Sequence, residues 1–115
     1  MAEKYNLPDS YKGDTFESIQ FTITVNSVAL DLTGATIACK FRKDSKQGVL
    51  TKSITSSSGI TISAPATGGI FVIDAFDLDW AAGVYYYDIE ITDAASVITT
   101  YVYGTITIKQ DVTYG

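Results

Sequence analysis

Histidine is absent from this chain of 115 residues, and cysteine occurs only once, as Cys39. The missing histidine excludes Ser-His-Asp and Cys-His catalysis and removes the commonest ligand of zinc. A single cysteine excludes an intramolecular disulfide and a structural zinc site. A phosphate-binding loop is missing too, since the "TGG" at 67–69 precedes a predicted strand and not a helix. We therefore expect no enzymatic activity and no bound cofactor.

Long hydrophobic runs are also lacking. No apolar stretch approaches the ~20 residues of a membrane span, and the amino terminus lacks the apolar segment of a secretory signal. We therefore expect no membrane partner and synthesis in a cytoplasm. The net charge of −5 repels polyanions, so nucleic acid is not an expected partner. Five of the eight basic residues lie between positions 40 and 52, where we expect a solvated hairpin edge.

What dominates the sequence is the alternation of apolar and polar residues. Alternation with a period of two is typical of half-buried strands. Turn signals separate the alternating runs at the spacing of roughly 8–12 residues that is common in β-sandwiches. The runs are 16–25, 35–42, 49–54, 60–63, 70–75, 84–93 and 97–110, with a shorter extended piece at 28–34. The pattern predicts an all-β sandwich as a single domain over residues 13–115, preceded by an extended arm over residues 1–12.

Carboxylates are densest after the run that ends near residue 75. Asp77 and Asp79 alternate around Leu78, and Asp74 lies close in sequence. Calcium takes six to eight oxygen ligands, so these three aspartates are the candidate calcium ligands. The twelve-residue calcium loop is absent, and we favour a solvated acidic face without metal.

Three consecutive tyrosines occupy positions 85–87. Tyr85 and Tyr87 share the phase of Ile89 and Ile91, so we expect both to face the core. Tyr86 has the opposite phase and should face outward. Tyr101 and Tyr103 join it on one outer face if the last two strands pair, and Trp80 is a fourth candidate for an interface. Tyrosine is enriched in protein–protein interfaces, while exposed rings also suit a carbohydrate-binding platform.

Other positions are expected to stabilise the fold. Gly34 suits a turn that needs positive φ. Gly83 followed by Tyr85 fits a tyrosine corner, in which a tyrosine hydroxyl binds the upstream backbone. Gly104, within a strand, indicates a bulge or a close approach of another backbone segment.

Four motifs occur in order along the chain: "KGDTF" (12–16), "DLTGATI" (31–37), "GVYYYDIEI" (83–91) and "GTITIKQDVT" (104–113). Together they resemble the small immunoglobulin-like domains of bacteriophage virion proteins, such as the amino-terminal domain of phage baseplate upper proteins and tail and fibre modules. The resemblance implies an immunoglobulin-like antiparallel β-sandwich of seven to eight strands.

The same resemblance implies a non-enzymatic structural protein of a phage particle, placed in the baseplate, tail or neck or decorating the capsid. Its expected partners are other virion proteins and further copies of itself, and its expected location is the virion. The alternative is a carbohydrate-binding or host-surface adhesion module, whose partner is a host-surface glycan.

Overall fold

The computed structural model describes residues 3–110, which form thirteen strands and one 3₁₀ turn at Ala66–Gly68. In chain order the strands are β1 (Glu3–Lys4), β2 (Ser10–Tyr11), β3 (Thr15–Phe16), β4 (Ile19–Thr22), β5 (Thr24–Val25), β6 (Val28–Ala29), β7 (Thr36–Lys43), β8 (Leu50–Thr55), β9 (Ile60–Ile62), β10 (Ile70–Ile73), β11 (Phe76–Asp77), β12 (Gly83–Thr92) and β13 (Ile98–Lys109).

Two sheets carry the architecture. The large sheet has the order β1-β13-β12-β7-β8, and β2 also pairs with β13. The small sheet has the order β4-β10-β9 and is antiparallel. The order β13-β12-β7-β8 corresponds to G-F-C-C′ of an immunoglobulin fold, and the order β4-β10-β9 corresponds to B-E-D. The predicted all-β sandwich is therefore confirmed, and seven strands of three or more residues build it: β4, β7, β8, β9, β10, β12 and β13.

The core lies between the inner faces of these sheets. It follows from the alternation, because successive side chains of a strand point to opposite faces. On β12, Tyr85, Tyr87, Ile89 and Ile91 are buried, whereas the residues between them are half-buried or exposed. The predicted inward phase of this strand is the observed one.

Residues 3–11, expected as a separate arm, form an edge of the large sheet instead. β1 and β2 pair in parallel with β13. Between them the Tyr5 amide donates to the Tyr103 carbonyl at 2.8 Å, and the Leu7 amide donates to the Thr105 carbonyl at 2.8 Å. Leu7 is buried. No boundary after residue 12 separates this segment from the sandwich, and the predicted domain end at 115 lies outside the described residues.

Gly104 explains how the arm fits against β13. A Cβ atom at this position would lie 2.1 Å from the carbonyl oxygen of Tyr5, far inside van der Waals contact. Of the two predicted reasons for this glycine, the structure has the close backbone approach. The final motif's "DVT" (111–113) lies outside the part of the chain that the structure describes.

The tyrosine corner and the expected turn glycine are also present. The Tyr85 hydroxyl donates to the Ala81 carbonyl at 2.6 Å, four residues upstream. Gly83 begins β12 just before it. Gly34 has φ 72° in the turn that leads into β7, where the Thr33 amide donates to an Asp31 carboxylate oxygen at 2.9 Å. A hydrogen bond from the Thr33 side chain and, second, this bond from the Thr33 amide lower the pKa of the Asp31 carboxyl.

Candidate functional site

The outer face of the large sheet carries a row of aligned polar and aromatic side chains. In the pairing of β12 with β7, Tyr86 lies opposite Arg42, and Asp88 lies opposite Lys40. In the pairing of β12 with β13, Asp88 also lies opposite Tyr103. Residues directly opposite one another in an antiparallel pair point to the same face. Three adjacent strands therefore bring these side chains together.

This face contains a groove with a volume of about 450 Å³. We call it the tyrosine groove and define it by the side chains of Lys40, Arg42, Lys46, Tyr86, Asp88, Glu90 and Tyr103. Tyr86 and Tyr103 are half-buried, so each ring is held by the sheet and still presents part of its surface. A volume in this range is that of a typical ligand pocket.

Lys46 comes from the loop between β7 and β8 and lies over one end of the groove. Its Nζ is 5.3 Å from the centroid of the Tyr103 ring, a distance suited to a cation–π interaction. The loop is held by hydrogen bonds: Arg42 Nη1 donates to the Gly48 carbonyl at 3.2 Å, and the Gly48 amide donates to the Ser45 carbonyl at 3.0 Å. The basic hairpin therefore contributes to the groove and is more than a solvated edge.

Charges of both signs face the groove without neutralising one another. Lys40, Arg42 and Lys46 supply positive charge, and Asp88 and Glu90 supply negative charge. Among residues 3–110, none of these five takes part in an ion pair within 4.0 Å. A partner with charges of both signs would match this surface.

Buried hydroxyl and thiol groups lie beneath the groove. The Tyr87 hydroxyl donates to the Tyr5 carbonyl at 2.5 Å, and burial raises its pKa. Burial also raises the pKa of the Tyr85 hydroxyl. Cys39 is fully buried on β7; burial, followed by the negative charge of Asp88, raises its pKa, so the thiol is held protonated. These three side chains stabilise the buried side of the sheet and are shielded from solvent.

Trp80 is not available as a platform. Only 9% of its surface is exposed, and its ring packs 4.9 Å from Tyr85, 5.2 Å from Phe41 and 5.8 Å from Phe76, measured between centroids. Its expected place on an interface was wrong. The ring belongs to an aromatic cluster of the core.

Tyr101 lies away from Tyr86 and Tyr103. A β-bulge shifts the register where Ile89 pairs with Val102 and Glu90 pairs with Thr100, which leaves Tyr101 as the extra residue. Tyr101 packs against the core and lies beside Phe21 of the small sheet. The last two strands do pair, but only two of the three tyrosines share the outer face.

The three candidate calcium ligands are not assembled into a site. The carboxylate of Asp74 accepts hydrogen bonds from Thr61 Oγ1 at 2.9 and 3.2 Å, and Asp79 forms an ion pair with Lys12 at 3.1 Å. Asp77 is exposed on β11. Within residues 3–110, no group of three acidic, cysteine or histidine residues lies close enough to hold a metal ion.

Sequence reasoning missed the charged members of the groove. Lys40, Asp88 and Glu90 were visible as the polar phase of their strands, and this phase is the signal that would have found them. Lys46 carries no such signal because a loop residue has no strand phase. Its position depends on the folded hairpin.

No protein-family model matches this sequence, and a comparison with curated proteins gives no significant match. Among solved structures, the chain is similar to the crystal structure of CopC from Methylosinus trichosporium OB3b. The identity is 12% and the TM-score 0.49, over 89% of this chain and 83% of that one. Among residues 3–110 there is no helix with the length and apolar character needed to cross a membrane.

Proposed function

We propose that this protein is a non-enzymatic structural component of a bacteriophage particle, and that it docks onto other virion proteins through the tyrosine groove. The observation that carries the proposal is that two half-buried rings, Tyr86 and Tyr103, lie on one face of the large sheet. Charged side chains of both signs, which form no ion pairs with one another, lie beside them. Rings and arginine held in this way are typical of interface hot spots.

The four motifs that resemble phage immunoglobulin-like domains support the same proposal. Three of them contribute to the frame around the groove: the turn at Gly34 leads into β7, and the other two supply nearly all of β12 and half of β13. The virion is the location that follows, and repeated copies in a particle would add avidity to modest single contacts.

A second candidate is a carbohydrate-binding module that adheres to a host-surface glycan. The groove volume of about 450 Å³ favours it, together with carboxylates of Asp88 and Glu90 beside exposed ring surface. Hydroxyl groups of a sugar would donate to such carboxylates while the sugar face packs on a tyrosine ring. Trp80 has no part in this candidate because it is buried.

Mass spectrometry of purified particles tests the proposal. We expect the wild-type chain among the virion proteins and a chain with Tyr86→Ser and Tyr103→Ser to be depleted at least ~30-fold, since a hot-spot ring contributes about 2 kcal/mol. Tyr11→Ser is the matched control, because Tyr11 is 45% exposed outside the groove. It should be incorporated like the wild type.

Two outcomes would overturn this proposal. One is the absence of the wild-type chain from particles, and the other is equal incorporation of the double variant. Binding of the wild type to a glycan array, lost in the double variant, would favour the adhesion module. Circular dichroism of each variant must show the wild-type fold, as expected for half-buried side chains on an outer face.

A further inference from the structure

The small sheet has two outer strands, β4 and β9, each paired with β10 alone among residues 3–110. β4 pairs with β10 on one side only, and it is the last strand of the order β4-β10-β9. An immunoglobulin constant-type domain has a fourth strand, A, at this position. Here residues 3–11 pair with β13 of the large sheet. The position beside β4 is therefore open.

The hydrogen-bonding direction of β4 shows which backbone groups face this edge. The Ile23 amide donates to the Gly69 carbonyl at 2.9 Å, on the β10 side. Backbone groups alternate in direction along an antiparallel strand. The amides and carbonyls of Gln20 and Thr22 therefore point away from β10, toward the open edge.

A groove of about 320 Å³, lined by both apolar and polar residues, runs along that edge. All residues from 19 to 24 line it on one side, and Glu3, Tyr5 and Tyr101 line it on the other. Phe21 is half-buried and forms an edge-to-face contact with the Tyr5 ring at 5.8 Å. We call this groove and the adjoining strand the β4 edge.

The β4 edge lacks two of the features that keep natural edge strands from pairing, lysine and proline. The edge strand β8 carries Lys52, the arm carries Pro8, and β9 has only three residues before the loop that contains Pro65. Residues 18–25, by contrast, contain neither charge nor proline.

We propose that β4 of a second copy occupies this edge, in an antiparallel pairing with Phe21 on the two-fold axis. In this register Gln20 of each copy exchanges backbone hydrogen bonds with Thr22 of the other, and Ile19 lies opposite Ile23. Apolar side chains therefore lie opposite apolar ones and polar side chains opposite polar ones. Both copies use the same strand, as an isologous interface requires. Two three-stranded sheets become one continuous sheet. A charged partner segment would find no complementary charge on residues 18–25.

Sedimentation velocity from micromolar to millimolar concentration tests this pairing. We expect a monomer–dimer equilibrium, and we expect Thr22→Lys and Gln20→Lys each to weaken the association at least ~10-fold, because edge lysines block strand pairing. Both side chains are exposed, so the fold should be retained. Thr36→Lys is the matched control on the central strand β7, where the side chain is also exposed. It should associate like the wild type.

Hydrogen exchange gives a second, variant-free measurement. As concentration rises, exchange of the Gln20 and Thr22 amides should slow, while exchange of the Phe21 amide, already directed toward β10, should not change. A monomer at every concentration would overturn the proposal, and so would equal association of Thr22→Lys and wild type. Incorporation of the chain into particles does not depend on either result, so the docking proposal is tested separately.

Discussion

The tyrosine groove and the β4 edge lie on different sheets and offer different chemistry. The groove presents side chains: two half-buried rings and five charges from β7, β12, β13 and one loop. The β4 edge presents backbone donors and acceptors beside the uncharged side chains of residues 18–25, with Glu3 across the groove. A surface of charged side chains selects its partner by charge pattern, whereas a strand edge accepts a partner through its main chain.

The position of the arm, residues 3–11, explains why the β4 edge is open in the same structure as the tyrosine groove. Its parallel pairing with β13 closes one edge of the large sheet and leaves the β4 edge without a fourth strand. Tyr5 lies at the boundary, since its amide bonds to Tyr103 of the groove and its ring contacts Phe21 of the β4 edge. The arm thus separates the two surfaces.

Displacing the arm should have the largest effect. Gly104→Ala would place a Cβ atom 2.1 Å from the Tyr5 carbonyl, and we expect the free energy of unfolding to fall by about 3 kcal/mol, as for other overpacked sites. Gly68→Ala is the control, because its nearest contact would be 4.0 Å away. Urea denaturation measures both. Equal stability of Gly104→Ala and wild type would mean that the close packing of the arm on β13 does not hold the tyrosine groove and the β4 edge apart.

High pH should weaken the sheet beneath the groove. The pKa values of Tyr85, Tyr87 and Cys39 are raised in the folded protein. Their contribution is complete below the ordinary values of 9.0 for cysteine and 10.0 for tyrosine, and it is lost as pH rises above them, since the unfolded chain then ionises first. Unfolding free energy measured against pH should fall above these values. A flat profile to strongly alkaline pH would contradict the burial of these groups.

The two faces of β12 can be compared with a single chemical change. Tyr85→Phe removes the hydrogen bond to Ala81, and we expect a loss of about 1 kcal/mol in unfolding free energy. Tyr86→Phe, one residue along on the outer face, should leave stability unchanged. Thermal unfolding measures both variants. If Tyr86→Phe destabilises the protein as much as Tyr85→Phe does, the outer ring is structural and not a free contact surface.

Salt should change the affinities of the two surfaces in different ways, and this effect should be smaller than those above. Docking through the groove uses unpaired charges, so we expect its affinity to fall several-fold as salt screens them. Pairing at the β4 edge should stay constant or strengthen, because two copies with net charge −5 repel each other less in salt. Binding assays at low and high salt measure this. A parallel loss of both interactions would argue that they share one charged surface.

Sequence alternation predicted the sandwich, its seven longer strands and the inward phase of Tyr85 and Tyr87, because one face of each strand is buried. It did not place Tyr101, since a bulge shifts strand phase without a local signature in the sequence. It did not place Trp80 or Lys46, whose surroundings are built by segments distant along the chain. It did not show that the arm pairs with β13, because the polar residues of the arm have no strand phase.

Site-specific photo-cross-linking tests most directly whether the tyrosine groove and the β4 edge bind different partners. The variants Tyr86→p-benzoylphenylalanine and Gln20→p-benzoylphenylalanine are each irradiated within intact particles, and the adducts are identified by mass spectrometry. We predict that position 86 cross-links to a different structural protein of the particle and position 20 to a second copy of this chain. Adducts with the same partner from both positions, or none from position 86, would contradict the account.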